Sequence, residues 1–164
     1  MITGLGVDIV EIERMKAALE RRPRMKERLF SAEERAYCDK RGRPEVHYAL
    51  RFAAKEAVLK ALGTGFRGMR FRDVEVVREG SGRPVPRLSG GAAERAAELG
   101  VVEMHLSLSF THTTAVASAV AITQDARPHK DERVDQKAQL AASFREARAL
   151  LDSVATHESD MDRE

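Results

Sequence analysis

The chain has 164 residues, of which 33% are charged and 43% hydrophobic, with a single cysteine. This composition predicts one globular domain with enough apolar residues for a core, and one cysteine excludes an internal disulfide framework and a CxxC zinc or redox site. No apolar run has the length that spans a bilayer and the N-terminus lacks a signal-peptide pattern, so we expect a cytoplasmic protein.

The net charge of +2 is unevenly distributed along the chain, with +4 on residues 1–125 and −2 on residues 126–164. Seven basic and two acidic residues lie between Arg14 and Arg28. Such a cluster is either a solvated face or a docking surface for an acidic protein, a nucleic acid or an anionic lipid. Both interpretations are open at this point.

The first predicted element is a buried strand over residues 2–9, which is rich in Ile, Leu and Val. Asp8 interrupts this apolar segment near its end. A carboxylate in an apolar strand is costly to bury unless it is paired or bound to a cation, so Asp8 is either a site residue or a local capping residue. Glu11 and Glu13 follow at the predicted start of a helix, where negative charge suits the helix dipole.

Helix boundaries are marked by a proline and by a capping motif. Pro23 closes the first helix region, and Ser31 with Glu34 fits a capping box that starts a second helix of about ten residues. Cys38 lies in this charged second helix, so we expect an exposed thiol without a functional role.

A long helix is predicted over about residues 45–62. It ends at Gly63, because glycine tolerates the left-handed conformation that closes many helices. Phe52, Glu56 and Lys60 share one face at i, i+4 spacing. Taken alone, the glutamate and the lysine are typical of a solvated surface pair worth about 0.3 kcal/mol.

Strands dominate the predicted structure between the long helix and residue 125. We predict a strand over 71–77, an edge segment over 85–88, a short helix over 92–99, and two paired strands over 102–110 and 115–123. Pro84 and Pro86 exclude a central strand for the edge segment. The last strand has small residues on one face, which let a helix or another subunit approach closely: Ala115, Ala117, Ala119 and Ala121.

The composition changes after residue 125, so we predict a domain over 1–125 and a charged extension over 126–164. Residues 127–137 are nearly all polar or charged, which is typical of a linker. A helix is predicted over 138–154, with Leu140, Phe144, Ala147 and Leu151 on one stripe. The last ten residues are expected to be disordered.

Three segments carry the strongest functional signal. They are Gly4-Leu-Gly-Val-Asp-Ile-Val-Glu-Ile12, the block over residues 51–65, and Leu106-Ser-Leu-Ser109 with the Thr/Ala-rich strand that follows it. Together they resemble the holo-acyl-carrier-protein synthase family of small 4′-phosphopantetheinyl transferases. The resemblance covers about residues 1–125 in the same order and spacing, and the tail has no counterpart in the short members of the family.

The resemblance implies transfer of the phosphopantetheine arm of coenzyme A to a serine of apo acyl carrier protein, with release of 3′,5′-ADP. By their motif positions, Asp8 and Glu56 would bind Mg²⁺, which prefers a few carboxylates with water and phosphate oxygens. Lys60 would complete the catalytic set by facing the diphosphate, because phosphoryl transfer depends on positioning and charge neutralisation. The serine proton would pass to a metal-side water or to Glu56, and the sequence leaves this open.

Coenzyme A contacts are implied at four positions that match the family: Arg51, Gly63, Thr64 and Gly65. The glycines would let backbone N–H groups approach phosphate. By charge alone, Lys40 or Arg43 would meet the 3′-phosphate.

The resemblance implies that the basic cluster is a docking surface for the carrier protein, with Arg14, Arg21 and Arg24 as its predicted contacts. It also implies an α+β fold in which a small antiparallel sheet wraps around the long helix. The family assembles as a trimer with active sites between neighbouring subunits, so we expect a homotrimer and neither a nucleic acid nor a membrane as partner.

The sequence departs from the family where the last strand pair turns. Phe110 occupies the usual histidine position, and His112 follows two residues later. Residues that are two apart share a face if the strand continues, so either His112 takes over the coenzyme A contact or the contact is absent, and of the two we predict the substitution by His112. His105 and His112 are otherwise expected to be hydrogen-bonding residues, because no second His or Cys stands at metal-ligand spacing.

Two other functions compete with the transferase. A basic nucleic-acid-binding module would need aromatic platforms, yet aromatic residues make up 5% of the chain and tryptophan is absent. The second is a structural oligomer in which Asp8 and Glu56 are incidental surface charges.

Overall fold

The computed structural model describes residues 2–63, 69–126 and 140–149. The chain divides into two compact units, residues 1–127 and 128–164, which are described separately. In the second unit, residues 140–149 form a helix on which Leu140 and Phe144 are exposed. The predicted linker, the remainder of the predicted 138–154 helix and the predicted disordered end lie outside the described residues. No helix in the described part of the chain is both long and apolar enough to cross a membrane.

The first unit is an α+β fold with two small antiparallel sheets. Its strands are β1 (Ile2–Glu11), β2 (Val74–Arg78), β3 (Pro84–Leu88), β4 (Val101–Phe110) and β5 (Thr114–Thr123). The larger sheet has the order β1-β5-β4, and β2 pairs with β3 alone. Because β3 has a single neighbour, its two prolines remove no hydrogen bond from a central strand, as predicted.

Five helices accompany the sheets: α1 (Ile12–Arg21), α2 (Arg24–Leu29), α3 (Ala32–Asp39), α4 (Pro44–Ala61) and α5 (Gly90–Glu98). The capping box at the start of α3 is confirmed, with Glu34 N–H donating to Ser31 Oγ at 3.1 Å and Ser31 N–H donating to Glu34 Oε2 at 2.9 Å. Gly63 has φ 72° just after α4, which confirms the predicted helix end. The sequence did not predict α2, because Pro23 interrupts the chain for only two residues before a second helix begins.

The long helix α4 packs directly on the backbone of β1 and on the alanine face of β5. The four alternating alanines of β5 are fully buried, so the smooth face receives a helix. On β1, Gly4 and Gly6 face α4 so closely that a Cβ added to either glycine would lie 1.8 Å from the carbonyl oxygen of Ala61 or Ala57, respectively. Only glycine, which has no Cβ, permits such a short distance between β1 and α4.

The other face of β1 is exposed within the chain, which corrects the prediction of a fully buried strand. Leu5, Val7 and Ile9 are 65%, 47% and 64% exposed. The alternation of a strand explains the difference, because the glycines and Asp8 take the inner face and the large apolar residues take the outer face.

Cys38 is fully buried, so the expectation of an exposed thiol is wrong. Glu33 and Asp39 of α3 are exposed, whereas Cys38 faces the core cluster that includes Phe30 and Tyr48. Burial raises the pKa of the Cys38 thiol to about 11. The thiol is therefore protonated at neutral pH and is a poor nucleophile.

We predict that Gly6→Ala destabilises the protein by at least about 3 kcal/mol, because the added methyl group overlaps a backbone carbonyl that cannot move without shifting α4. Gly80→Ala is the matched control, since a methyl group added at Gly80 would meet no other atom within 4 Å. Urea unfolding of both variants measures the difference. Equal stability of the two variants would contradict the close packing of β1 on α4.

Candidate active site

Asp8 reaches the central helix because it continues the face of β1 that Gly4 and Gly6 begin. Its carboxylate accepts a hydrogen bond from Lys60 Nζ at 2.7 Å, and the same ammonium donates to the carbonyl oxygen of Val7 at 2.9 Å. The Asp8 side chain is 16% exposed and that of Lys60 is 48% exposed. An acid of the first strand and a base of the long helix therefore meet at the protein surface.

Glu56 lies one helical turn before Lys60 and completes the group. Partial burial raises the pKa of the Glu56 carboxyl, the negative charge of Asp8 raises it further, and Lys60 acts in the opposite direction. The two carboxylates are thus close enough to repel each other. Asp8, Glu56 and Lys60, the three predicted catalytic residues, are brought together by the fold.

Both carboxylates line one cavity of about 360 Å³, which we call the carboxylate cavity. Its other lining residues include Arg14, Met25 and Phe52. In the described residues no three His, Cys, Asp or Glu side chains form a metal-binding group. Two repelling carboxylates beside open space suit a hard cation that keeps water and substrate oxygens as its other ligands.

Arg51 lies one turn before Lys55 on a neighbouring face of α4, in a second cavity of about 390 Å³ that we call the Arg51 cavity. The arginine is only 5% exposed, and its guanidinium stacks over the Tyr37 ring at 4.0 Å. Its Nε is buried without a hydrogen-bond partner among the described residues. A buried, unsatisfied cationic donor that lines a cavity is suited to an anionic ligand.

The end of β4 differs from the prediction for His112. β4 ends at Phe110, and the next three residues form a turn, so the strand does not continue to His112. Phe110 lines the Arg51 cavity with Ser107, whereas His112 is exposed and is not among the residues that line it. The prediction for His112 assumed that β4 continues to that residue, and β4 ends before it. A contact between His112 and coenzyme A therefore stays a prediction.

The other predicted ligand contacts are less fully described. Gly63 follows α4 directly, and its N–H donates to the carbonyl oxygen of Lys60 at 3.0 Å. Thr64 and Gly65 lie outside the described residues. Lys40 and Arg43 are exposed, do not line the Arg51 cavity, and Arg43 is paired with Glu45 at 3.2 Å.

The three predicted carrier contacts are exposed on the first two helices. Arg14 on α1 lines the carboxylate cavity, Arg21 ends α1, and Arg24 begins α2. Arg14 is therefore the predicted carrier contact that shares a cavity with Asp8 and Glu56.

A buried ion pair next to the site was not predicted. Lys55 Nζ lies 2.8 Å from Glu34 Oε2, and the two side chains are 0% and 1% exposed. Lys55 also donates to the carbonyl oxygen of Phe71 at 3.3 Å, and Val76 N–H donates to Glu34 Oε1 at 3.0 Å. Burial lowers the pKa of Lys55, and the charge of Glu34 opposes this shift. The pair joins α3, β2 and α4 immediately beside Glu56.

The sequence matches the family model of the 4′-phosphopantetheinyl transferase superfamily over residues 4–121. The chain therefore belongs to this superfamily. Curated proteins that are similar to this chain in sequence are holo-[acyl-carrier-protein] synthases. The protein of Alkaliphilus metalliredigens is 48% identical over 122 residues, which cover 74% of this chain and 99% of the relative. That of Moorella thermoacetica is 47% identical over 119 residues, which cover 73% and 91%.

Solved structures agree with this assignment. The holo-[acyl-carrier-protein] synthase of Neisseria meningitidis matches with a TM-score of 0.70 and 33% identity, covering 75% of this chain and 100% of that protein. The synthase of Bacillus anthracis, solved in complex with CoA (3′,5′-ADP), matches with a TM-score of 0.62 and 34% identity, covering 75% and 98%. The predicted family and the predicted α+β class with small antiparallel sheets are thus confirmed, and the nucleic-acid-binding alternative gains no support.

We predict that Lys55→Met destabilises the protein by about 3–5 kcal/mol, because it leaves the Glu34 carboxylate buried without its partner. Arg87→Met is the matched control, since the Arg87 side chain is 61% exposed although it pairs with Glu75 at 3.0 Å, and its loss should cost about 1 kcal/mol or less. Urea unfolding measures both. Similar losses in the two variants would show that the buried pair has no special role.

Proposed function

We propose that the chain transfers the 4′-phosphopantetheine group of coenzyme A to a serine of apo acyl carrier protein and releases 3′,5′-ADP. The observation that carries the proposal is that Asp8 and Glu56 line one cavity and that Lys60 pairs with Asp8 at 2.7 Å, in a chain of this superfamily. The relatives' names and the structure of one relative with coenzyme A support the choice of both substrates.

In this reaction the serine oxygen forms a bond to the phosphorus on the pantetheine side of the diphosphate. The bond from that phosphorus to the bridging oxygen breaks, and the bridging oxygen leaves with 3′,5′-ADP. Lys60 places a positive charge beside Asp8, where it stabilises the charge that develops on the diphosphate oxygens. The serine proton passes to Glu56 or to a water beside it.

Asp8 and Glu56 would hold Mg²⁺, which supplies charge neutralisation at the phosphate oxygens when it is bound. The two carboxylates repel each other, and the one ammonium group beside them, that of Lys60, pairs with Asp8, so a bound cation is favoured. We assign the phosphates of coenzyme A to Arg51, whose Nε is unsatisfied, and to the backbone after α4 at Gly63, Thr64 and Gly65.

Arg14, Arg21 and Arg24 would receive the carrier protein. Arg14 lines the same cavity as the two carboxylates, so a partner held there brings its serine close to the reacting phosphate. The positive charge of all three residues favours an acidic partner.

We further propose that the chain assembles as a homotrimer. The outer face of the larger sheet supports this assembly, because Leu5, Val7 and Ile9 are largely exposed on it and pair with Val120, Ser118 and Val116 of β5. An apolar sheet face of this kind is typical of a surface that another subunit covers.

We predict that the protein adds the mass of the phosphopantetheine arm to apo acyl carrier protein when coenzyme A and Mg²⁺ are present. Asp8→Asn and Glu56→Gln should each lower the rate by at least about a hundredfold, because each removes a charge from the metal site. Intact-mass spectrometry follows the product, and excess EDTA should stop the reaction.

Glu98→Gln is the matched control, because Glu98 is an exposed acid that pairs only with Arg95 in the described structure, and this variant should retain wild-type activity. Circular dichroism shows whether each variant is folded. Full activity of folded Asp8→Asn and Glu56→Gln would refute the proposed site.

We predict that the wild-type protein sediments with three times the 18.2 kDa mass of the chain. Leu5→Lys should produce smaller species, because it places a charge in an apolar contact. Phe144→Lys is the control, since Phe144 is 68% exposed but belongs to the other unit. A monomeric wild-type protein in sedimentation velocity would contradict the trimer.

A further inference from the structure

A groove rich in arginine lies between α2 and the segment that precedes β2. It has a volume of about 660 Å³, and we call it the arginine groove. Its rim is formed by five arginines: Arg22, Arg24, Arg28, Arg70 and Arg72. Its floor is apolar and is formed by Met25, Leu29, Met69 and Phe71. The fold thus adds two arginines, at positions 70 and 72, to a basic cluster that is far away in sequence.

The five rim arginines have no acidic partner among the described residues. All five are exposed, and none has a carboxylate within salt-bridge distance in the part of the chain that the structure describes. Elsewhere in that part, Arg35, Arg43, Arg87 and Arg95 each pair with an acid. A group of like charges without partners repels itself, so the groove is suited to a ligand that brings negative charge.

The floor of the groove is continuous with the floor of the carboxylate cavity. Met25 lines both. Phe52 of the carboxylate cavity stacks on Phe71 of the groove, with ring centroids 4.9 Å apart and an interplanar angle of 24°. A partner whose reacting serine lies near Asp8 and Glu56 can therefore extend over Met25 and the stacked rings to Arg70 and Arg72.

We propose that the arginine groove is a second part of the carrier-protein docking surface and that Arg70 and Arg72 determine how tightly the carrier protein binds. This inference rests on the proposed function and adds to it, because the three predicted carrier contacts are all on α1 and α2. The partner it fits has an acidic face around a few apolar side chains, as in an amphipathic acidic helix. Apolar centres with charged rims are the usual anatomy of protein interfaces.

The apolar floor of the arginine groove favours a protein over a nucleic acid as the ligand. Bases stack on aromatic faces that are open to them, whereas the Phe71 ring is stacked on Phe52 and the remaining floor residues are aliphatic or thioether side chains. These side chains suit the apolar residues of a helix.

The test compares Arg70→Glu/Arg72→Glu with Arg145→Glu/Arg148→Glu in the full chain. The control arginines are exposed on the helix of the other unit, so both double variants change the net charge equally. Initial rates are measured with varied apo acyl carrier protein at saturating coenzyme A and Mg²⁺. At about 50 mM salt the groove variant should raise the KM for the carrier about tenfold, and the effect should shrink at about 500 mM salt because charge attraction is screened.

The kcat and the KM for coenzyme A should stay unchanged in the groove variant, and Arg70→Lys/Arg72→Lys should restore most of the affinity for the carrier. A carrier KM equal to that of the control variant would overturn the inference, as would a loss of binding to a single-stranded oligonucleotide without a change in the carrier KM. Arg72→Gln repeats the measurement with a milder change. If the wild-type protein transfers no phosphopantetheine at all, the proposed function fails instead.

Discussion

The close contact between β1 and α4 is the constraint on which the active site depends. Gly4 and Gly6 let the strand backbone approach the carbonyl oxygens of the helix to a distance that excludes a Cβ. Asp8 is the next residue on the same face of the strand, and this approach brings it to Lys60 at 2.7 Å. The two glycines therefore determine the position of the Asp8 carboxylate, since a wider separation between β1 and α4 would leave it away from both Glu56 and Lys60.

The second constraint is the buried ion pair between Glu34 and Lys55. Its desolvation cost is large, and a pair of this kind is weak support for stability in itself. Glu34, however, also accepts backbone hydrogen bonds from Ser31 and Val76, and Lys55 donates to the Phe71 carbonyl oxygen. These bonds fix the rotation of α4 relative to α3 and β2, and Glu56 follows Lys55 directly in the chain. The buried pair thus sets which way Glu56, the proposed catalytic glutamate, points.

Local chemistry made much of this fold predictable from the sequence. The capping box at Ser31 and the closing Gly63 act within a few residues, so their patterns were sufficient. Asp8 and Glu56 were predicted as catalytic acids by motif resemblance, and the structure brings them together. Burial of Cys38 and Lys55 and exposure of the outer face of β1 were not predictable in this way, because they depend on which elements pack together. Lys55 did leave a signal, since it is a charged residue that directly follows two alanines on a helix whose uncharged residues are mostly apolar.

The periodicity of α4 places two groups of side chains on different faces of the helix. Arg51 and Lys55 lie one turn apart on one side, and Phe52, Glu56 and Lys60 follow the same spacing on a face about 100° away. The first side meets buried partners and the Arg51 cavity, and the second opens on the carboxylate cavity. Ala57 and Ala61 are buried on the side of α4 that β1 approaches closely. A helix packed this closely does not rotate to exchange the two faces, so the proposed site for an anionic ligand and the proposed site for a cation stay at a fixed distance on one rigid element.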